Sequence, residues 1–248
     1  MIQTSVPKEI VPDLWLNGIF DRPVYEIVLD SGWKSRLEDL GASIRAIQEK
    51  PVFMFAKIST GALEAAAALK GFGFRAIDTQ VTFEKTVTGN QNYIGKCTLR
   101  WANSGDEEAV AQLAKHNSIT SRFHLDPAIP KQTADRVKEE WVRNYFRGRR
   151  GNRLAFAQVD QKPSGFLQLI HGSDGLMIID LIATDGSERR KGIASDMIAF
   201  CENEGRGFSR IRVGTQASNR PSIQLYEKLG FKATSVEYIF HYHHLPKG

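Results

Sequence analysis

The chain has 248 residues, 42% of them apolar and 25% charged, the make-up of an ordinary globular protein. A net charge of +5, spread without a basic face, excludes a nucleic-acid binder, and no apolar run approaches the length that crosses a bilayer. Two cysteines, Cys97 and Cys201, exclude a disulfide framework and a cysteine zinc site.

The opening MIQTSVPKEIVPD has neither the basic stretch nor the apolar core of a leader, so the expected location is cytoplasmic. WLNGIF and YEIVL are short apolar segments divided by the turn Asp21-Arg22-Pro23. Residues 31–48 have helical periodicity through Leu37, Leu40, Ile44 and Ile47. A strand is expected at 51–58, an alanine-rich helix at 62–70 and a strand at 77–83, with Gly73-Phe74 between the last two. Residues 50–85 lie without gaps on 207–242, Gly73-Phe74 falling on Gly230-Phe231 and Phe83 on Phe240. This is an internal repeat of strand, helix, Gly-Phe and strand, which predicts two similar half-sheets. Leu69 of the first copy stands where the second has Tyr226.

The polar stretch after Thr86 divides the chain into a first domain, 1–88, a linker, 89–95, and a second domain, 96–248. The second is expected to run strand 97–102, helix 106–116, a loop with SRFHLDP, helix 131–147, strands 153–159 and 164–171, strand 176–183, helix 191–204, strand 210–215, helix 220–228 and strand 236–242. Within it, Ile178–Ser195 is an apolar strand, a turn-rich loop and a helix start. Backbone N–H groups at a helix start have no partners within the helix and, with its dipole, attract anions. Gly192 and Ala194 leave that backbone uncovered.

Arg189-x-x-Gly192-x-Ala194 after an apolar strand resembles the acetyl-CoA signature of the GNAT superfamily of N-acetyltransferases, and the element order over residues 96–244 is similar to theirs. Arg212-Val-Gly-Thr-Gln216, Asn219, Leu225-Tyr226 and Gly230, with the SRFHLDP loop and Trp141, resemble the branch that N-acetylates TDP-4-amino-4,6-dideoxyhexoses. The sequence departs from the usual pattern at Thr184 and Gly186, where many members carry valine and proline. The resemblance implies an α/β mixed sheet with the GNAT acyl-CoA N-acyltransferase fold, preceded by a degenerate, partial GNAT-like domain that lacks the cofactor loop. It implies acetyl-CoA as co-substrate and a small-molecule amine acceptor, a nucleotide sugar foremost. A protein or peptide amine, an aminoglycoside, a non-catalytic acetyl-CoA sensor and a homodimer stay open.

The same resemblance implies roles for particular residues. The pyrophosphate sits on the N–H groups of Arg190, Lys191, Gly192, Ile193, Ala194 and Ser195, with charge from Arg189, Arg190 and Lys191; a solvated basic turn is the other account of those three. The pantetheine arm pairs with the edge of Ile182, Ala183 and Thr184. Tyr226 protonates the leaving thiolate or is a core aromatic. Asn219 holds pantetheine or caps its helix. Asp180, on the strand face of Ile182, is a base acting through water or half of a salt bridge. His124 faces the acceptor or is structural. His241, His243 and His244 invite a metal, but no carboxylate or cysteine near them in sequence completes a set, so no metal is expected.

Overall fold

The computed structural model describes residues 7–89, 91–117, 120–205 and 207–245. The first six residues, which belong to the leader reading, lie outside them. The elements in order are β1 (Ile10–Pro12), α1 (Leu14–Phe20), β2 (Val24–Ile27), α2 (Leu37–Gln48), β3 (Val52–Ser59), α3 (Leu63–Gly71), β4 (Arg75–Thr86), β5 (Thr98–Trp101), α4 (Glu107–Asn117), α5 (Arg122–Leu125), α6 (Lys131–Phe146), β6 (Arg153–Val159), β7 (Lys162–His171), β8 (Leu176–Thr184), α7 (Ile193–Glu204), β9 (Arg210–Gln216), α8 (Arg220–Lys228) and β10 (Lys232–His244). From β5 onward the order is the expected one, except that Arg122–Leu125, expected in a loop, forms the short helix α5. The helix expected from residue 31 starts at 37, because Trp33–Arg36 forms a separate 3-10 turn.

The chain forms two compact units that are not cut at the expected linker. The first is 1–80 with 125–129 and 236–248; the second is 81–124 with 130–235. The cause is long-range strand pairing, which local periodicity does not encode. In the first unit β3 pairs antiparallel with the end of the chain, Glu237↔Ser59 to His244↔Val52. In the second unit the neighbour of β9 is the last half of β4, where the Arg212 side chain donates to Glu84 at 2.6 Å. Each copy of the repeat thus has its final strand beside the first strand of the other copy.

The repeat holds in backbone detail. Helices 63–71 and 220–228 take the same positions in the two copies. Gly73 and Gly230 both have φ +85°, a conformation glycine reaches without a Cβ penalty. Phe74 and Phe231 follow them into separate apolar cores. The first core gathers β3, α2 and α3 around Met54, Ile44, Leu69 and Phe240. The second gathers β7, β8, β9 and α7 around Leu167, Ile179, Val213 and Met197. On the other face of that sheet α4 and α6 close over Leu154, Phe156 and Phe166.

Two irregularities in the second unit decide which part of β8 is left open. The parallel ladder of β8 and β9 runs from Leu176↔Arg210 to Ile179↔Val213 and stops, although β8 continues to Thr184 and β9 to Gln216. One residue later the antiparallel ladder of β7 and β8 jumps from Leu169↔Ile179 to Gln168↔Leu181. Asp180 is the extra residue of a β-bulge, a device that re-aims a side chain and bends a strand. In the first unit the β2–β3 ladder, Val24↔Phe53 to Ile27↔Ala56, runs to the last residue of β2.

Candidate active site

Beyond Ile179 one edge of β8 has no β9 partner, so its backbone groups are open to a ligand. The Asp185 N–H donates to the Ser164 carbonyl of the neighbouring strand at 2.9 Å. Antiparallel residues alternate in direction, so Ala183 also turns its backbone to β7, while Ile182 and Thr184 turn theirs to the vacated edge. Two residues of the expected three therefore offer main-chain groups. Ala183 is corrected: it packs against the α4 and α6 side.

The loop after β8 builds the second part. The Asp185 carboxylate accepts from the Ser187 N–H at 2.9 Å and turns the chain. Arg190 then has φ +64° and Gly192 φ +92°, on either side of Lys191. Left-handed residues at a helix start gather successive N–H groups into an anion-binding concavity. Gly192 is the N-cap of α7 and no side chain caps that end. Ile193 is a core side chain and adds only its backbone; Ala194 and Ser195 are half-buried. Arg189 reaches the Asn117 carbonyl at 3.4 Å, and Lys191 pairs with Glu188 at 3.1 Å. Arg190 has no ion pair among the described residues.

The expected linker is part of this site. The Asp196 carboxylate, buried in the first turn of α7, accepts the backbone N–H groups of Ile94 at 2.5 Å, Gly95 at 3.0 Å and Lys96 at 3.3 Å. Further along the same face of α7, Asn203 exchanges two hydrogen bonds with the Gln91 backbone. Ile94 is thereby laid on Gly192: a Cβ there would stand 2.5 Å from its Cδ1. Asp196 and Asn203 were not expected as site residues; their only sequence signal is their helical spacing of seven.

Tyr226 is 2% exposed, its ring packed at 5.8 Å from Phe83 and 5.6 Å from Phe231. Burial pushes its phenol well above the usual range, against a hydrogen bond with Ser222, so it holds its proton at neutral pH. Asn219 is the N-cap of α8: its side chain accepts from the Ser222 N–H at 3.4 Å and donates to Thr215 Oγ1 at 3.2 Å.

Asp180 and His124 are both engaged by other side chains. The Asp180 carboxylate, 7% exposed, accepts from Arg150 Nε at 2.7 Å and NH2 at 2.6 Å, from Trp141 Nε1 at 2.8 Å and from Gln168 Nε2 at 2.9 Å. Oδ2 accepts from three donors and Oδ1 from one, so the carboxylate is held in the salt bridge that was one of its two readings. His124 has Ser121 Oγ at 2.7 Å from Nδ1 and Asp135 Oδ1 at 3.0 Å from Nε2. Burial lowers its pKa, against the raising effect of Asp135; Nε2 joins α5 to α6, and Nδ1 is held by Ser121 just before α5.

In the first unit the structure supplies the carboxylate that sequence distance concealed. Asp126 Oδ2 lies 2.6 Å from His241 Nδ1 and 2.7 Å from His243 Nε2. The three ligand atoms fall within 4.8 Å of one another. Arg22 NH2 donates to His243 Nδ1 at 3.0 Å, which fixes Nε2–H as the donor to Asp126 and sets a guanidinium against any cation there. The trio is a latch that ties residues 125–129 to β10. Burial would raise the Asp126 pKa, but the hydrogen bonds from His241 and His243 outweigh it and hold the carboxyl well below the usual range. A depressed carboxyl contributes stability above its unfolded pKa and loses it only as pH falls through the folded one. Asp126→Ala is expected to cost about 1.5–3 kcal/mol per lost charged hydrogen bond. A thermal melt at neutral pH should show the deficit.

A cavity of about 580 Å³ in the second unit, lined by Lys85, Thr86, Arg210 and Lys232, includes none of the expected site residues. No helix among the described residues is long and apolar enough to cross a membrane.

Comparison with known proteins places this geometry. Residues 116–231 match the model of the acetyltransferase (GNAT) family. Over 139 residues, 55% of the chain, it is 32% identical to the spore coat polysaccharide biosynthesis protein SpsD of Bacillus subtilis (strain 168). The match covers 47% of that protein, so the chain spans about half the length of this curated relative. A GCN5-related N-acetyltransferase from Sphaerobacter thermophilus superposes with a TM-score of 0.63 at 14% identity, over 92% of this chain and 74% of that one. A tandem GNAT protein from the clavulanic acid biosynthesis pathway superposes with 0.61 at 13% identity, over 92% and 77%. At such identities the likeness is one of fold. The strand that leaves its neighbour and the anion nest both fall within residues 116–231, the segment that matches the acetyltransferase (GNAT) family model.

Proposed function

We propose that the chain moves an acetyl group from acetyl-CoA to a primary amine, that of a nucleotide-linked, TDP-type amino-deoxy sugar bound for a surface polysaccharide. The observation that carries the transfer is the opening of β8 from β9 immediately before an uncapped helix start. An acyl carrier with an amide-bearing arm and a pyrophosphate needs those two features in that order: strand-like hydrogen bonds from Ile182 and Thr184, then the nest from Arg190 to Ser195.

The amine attacks the thioester carbonyl, the new C–N bond forms and the C–S bond breaks. Backbone N–H groups along the open edge stabilise the oxyanion. The thiolate takes its proton from Tyr226, whose buried phenol stays protonated at neutral pH. With Asp180 engaged, the amine proton leaves through water. The first unit is a degenerate copy. Its β2 does not extend beyond the ladder with β3, and at the N-cap of α2 the Arg36 side chain is taken up by Glu9 and Asp30, the latter at 2.6 Å. Support for the acceptor comes from the branch resemblance and from the relative, which bears the name of a polysaccharide biosynthesis protein.

Thiol release from acetyl-CoA, followed with TDP- and UDP-amino sugars, peptides, polyamines and aminoglycosides, tests this reading. A nucleotide-linked amino sugar is expected to give the highest kcat/KM. Preference for a peptide or a free aminoglycoside overturns the acceptor, and no thiol release with any amine leaves an acetyl-CoA sensor.

A further inference from the structure

The turn between α6 and β6 and the first residue of β6, Arg147–Arg153, carry four arginines. Two are engaged: Arg147 pairs with Glu140 at 2.6 Å, and Arg153 lies over the Trp101 ring at 4.9 Å. Arg149 is exposed and has no ion pair among the described residues. Arg150 is built in. Its Nε and NH2 both donate to Asp180, its guanidinium lies 4.7 Å from the Trp141 ring, and its side chain is still 42% exposed.

Arginine presents its donors as a rigid fork. Side-on pairing through Nε and NH2 consumes one edge of that fork and leaves NH1, for which no protein acceptor is present among the described residues. Stacking on an indole removes the remaining rotational freedom. Arg149, next to Arg150 in the chain, adds a second exposed cation. An arginine fixed in this way loses little entropy when it takes an oxyanion, and its geometry suits phosphate. The anchor also matters. Asp180 is the bulged residue at the point where β8 leaves β9, so the guanidinium is tied to the strand that carries the open edge.

We propose that Arg150, with Arg149 beside it, binds the phosphate of the acceptor, a nucleoside diphosphate group, and that Asp180 is a positioning residue that aims Arg150. This rests on the reading of the acceptor as nucleotide-linked. It also explains an acid on a buried strand that is not free to act as a base.

The test is calorimetric titration of thymidine diphosphate into the full chain without acetyl-CoA, alongside a titration of CoA. Wild type should bind the diphosphate. Arg150→Gln should weaken it about ten-fold or more, the size of one charge-assisted hydrogen bond. Arg150→Lys should recover part of the loss. CoA affinity should not follow; a parallel loss would assign the arginine to the cofactor's own phosphates and overturn the proposal. So would an unchanged diphosphate affinity in a folded Arg150→Gln.

Kinetics separate the role of Asp180. Asp180→Asn keeps shape and one acceptor oxygen, and should raise KM for the nucleotide-linked sugar more than it lowers kcat, with the acidic limb of the pH–rate profile in place. Loss of that limb with a kcat about 10²–10⁴-fold lower for every amine would make Asp180 the base and overturn the positioning role. Failure of the two readings is distinguishable. Diphosphate binding that depends on Arg150 without any acetyl transfer removes the transferase and keeps the site. Transfer to a nucleotide sugar that ignores Arg150 does the reverse.

Discussion

Tyr226→Phe is expected to lower kcat by about 10²–10⁴-fold, the range of a general-acid contribution. The variant keeps the ring that packs between Phe83 and Phe231 and removes only the hydroxyl. Its stability cost is confined to the hydrogen bond with Ser222, about 1 kcal/mol, or roughly 2–4 °C in the melting midpoint for a chain of this size. The first copy of the repeat supplies a built-in comparison. Its equivalent position is Leu69, also fully buried, so the core there needs an apolar side chain and not a phenol. The hydroxyl is what the second copy adds. Acetyl-CoA affinity, measured by titration, should stay near wild type, because the proposed cofactor contacts are Ile182, Thr184 and the nest rather than Tyr226. A folded Phe variant with full kcat would remove Tyr226 from the chemistry and leave water as the acid.

Dividing the chain at the expected linker is predicted to abolish folding of both pieces. Residues 96–248 alone lack the last half of β4, the neighbour of β9, and leave 236–244 without β3. Residues 1–88 alone lose the ladder from Glu237↔Ser59 to His244↔Val52 and expose β3 as an edge, a template for aggregation. Each piece expressed singly should be insoluble or melt without a cooperative transition; co-expression should restore one soluble complex. A soluble, cooperatively melting 96–248 fragment that binds acetyl-CoA would falsify this.

What was legible in the sequence is what local chemistry dictates. The strand, loop and helix start around Gly192 showed in composition and periodicity, and the copies at 50–85 and 207–242 could be matched because helix period and Gly-Phe stops are local features. Side-chain roles were less legible, since they depend on partners brought from afar. Asp180 gave no sign of its arginine, 30 residues away, or of Trp141, 39 away. His241 and His243 lacked a carboxylate only until the fold brought Asp126 to them across 115 and 117 residues. Strand exchange was equally hidden, because β4 and β10 have the same pattern whichever neighbour they take.

The segment 91–96 has the composition of a spacer, and its attachment to α7 changes what it can tolerate. Asp196 meets three successive amides and Asn203 a fourth residue, so the number of residues between the anchors is fixed by the helix rather than by reach. Adding one residue would shift every amide off its acceptor and slide Ile94 away from Gly192. Gly192 itself accepts no larger residue, since its φ of +92° and the Ile94 methyl both forbid a Cβ. A bulky substitution there disturbs the backbone before it can block a ligand. Tags, affinity handles and grafted modules inserted at this apparent joint would fail, and recombination that trades one half of the chain for a foreign one would have to preserve the joint's length to the residue.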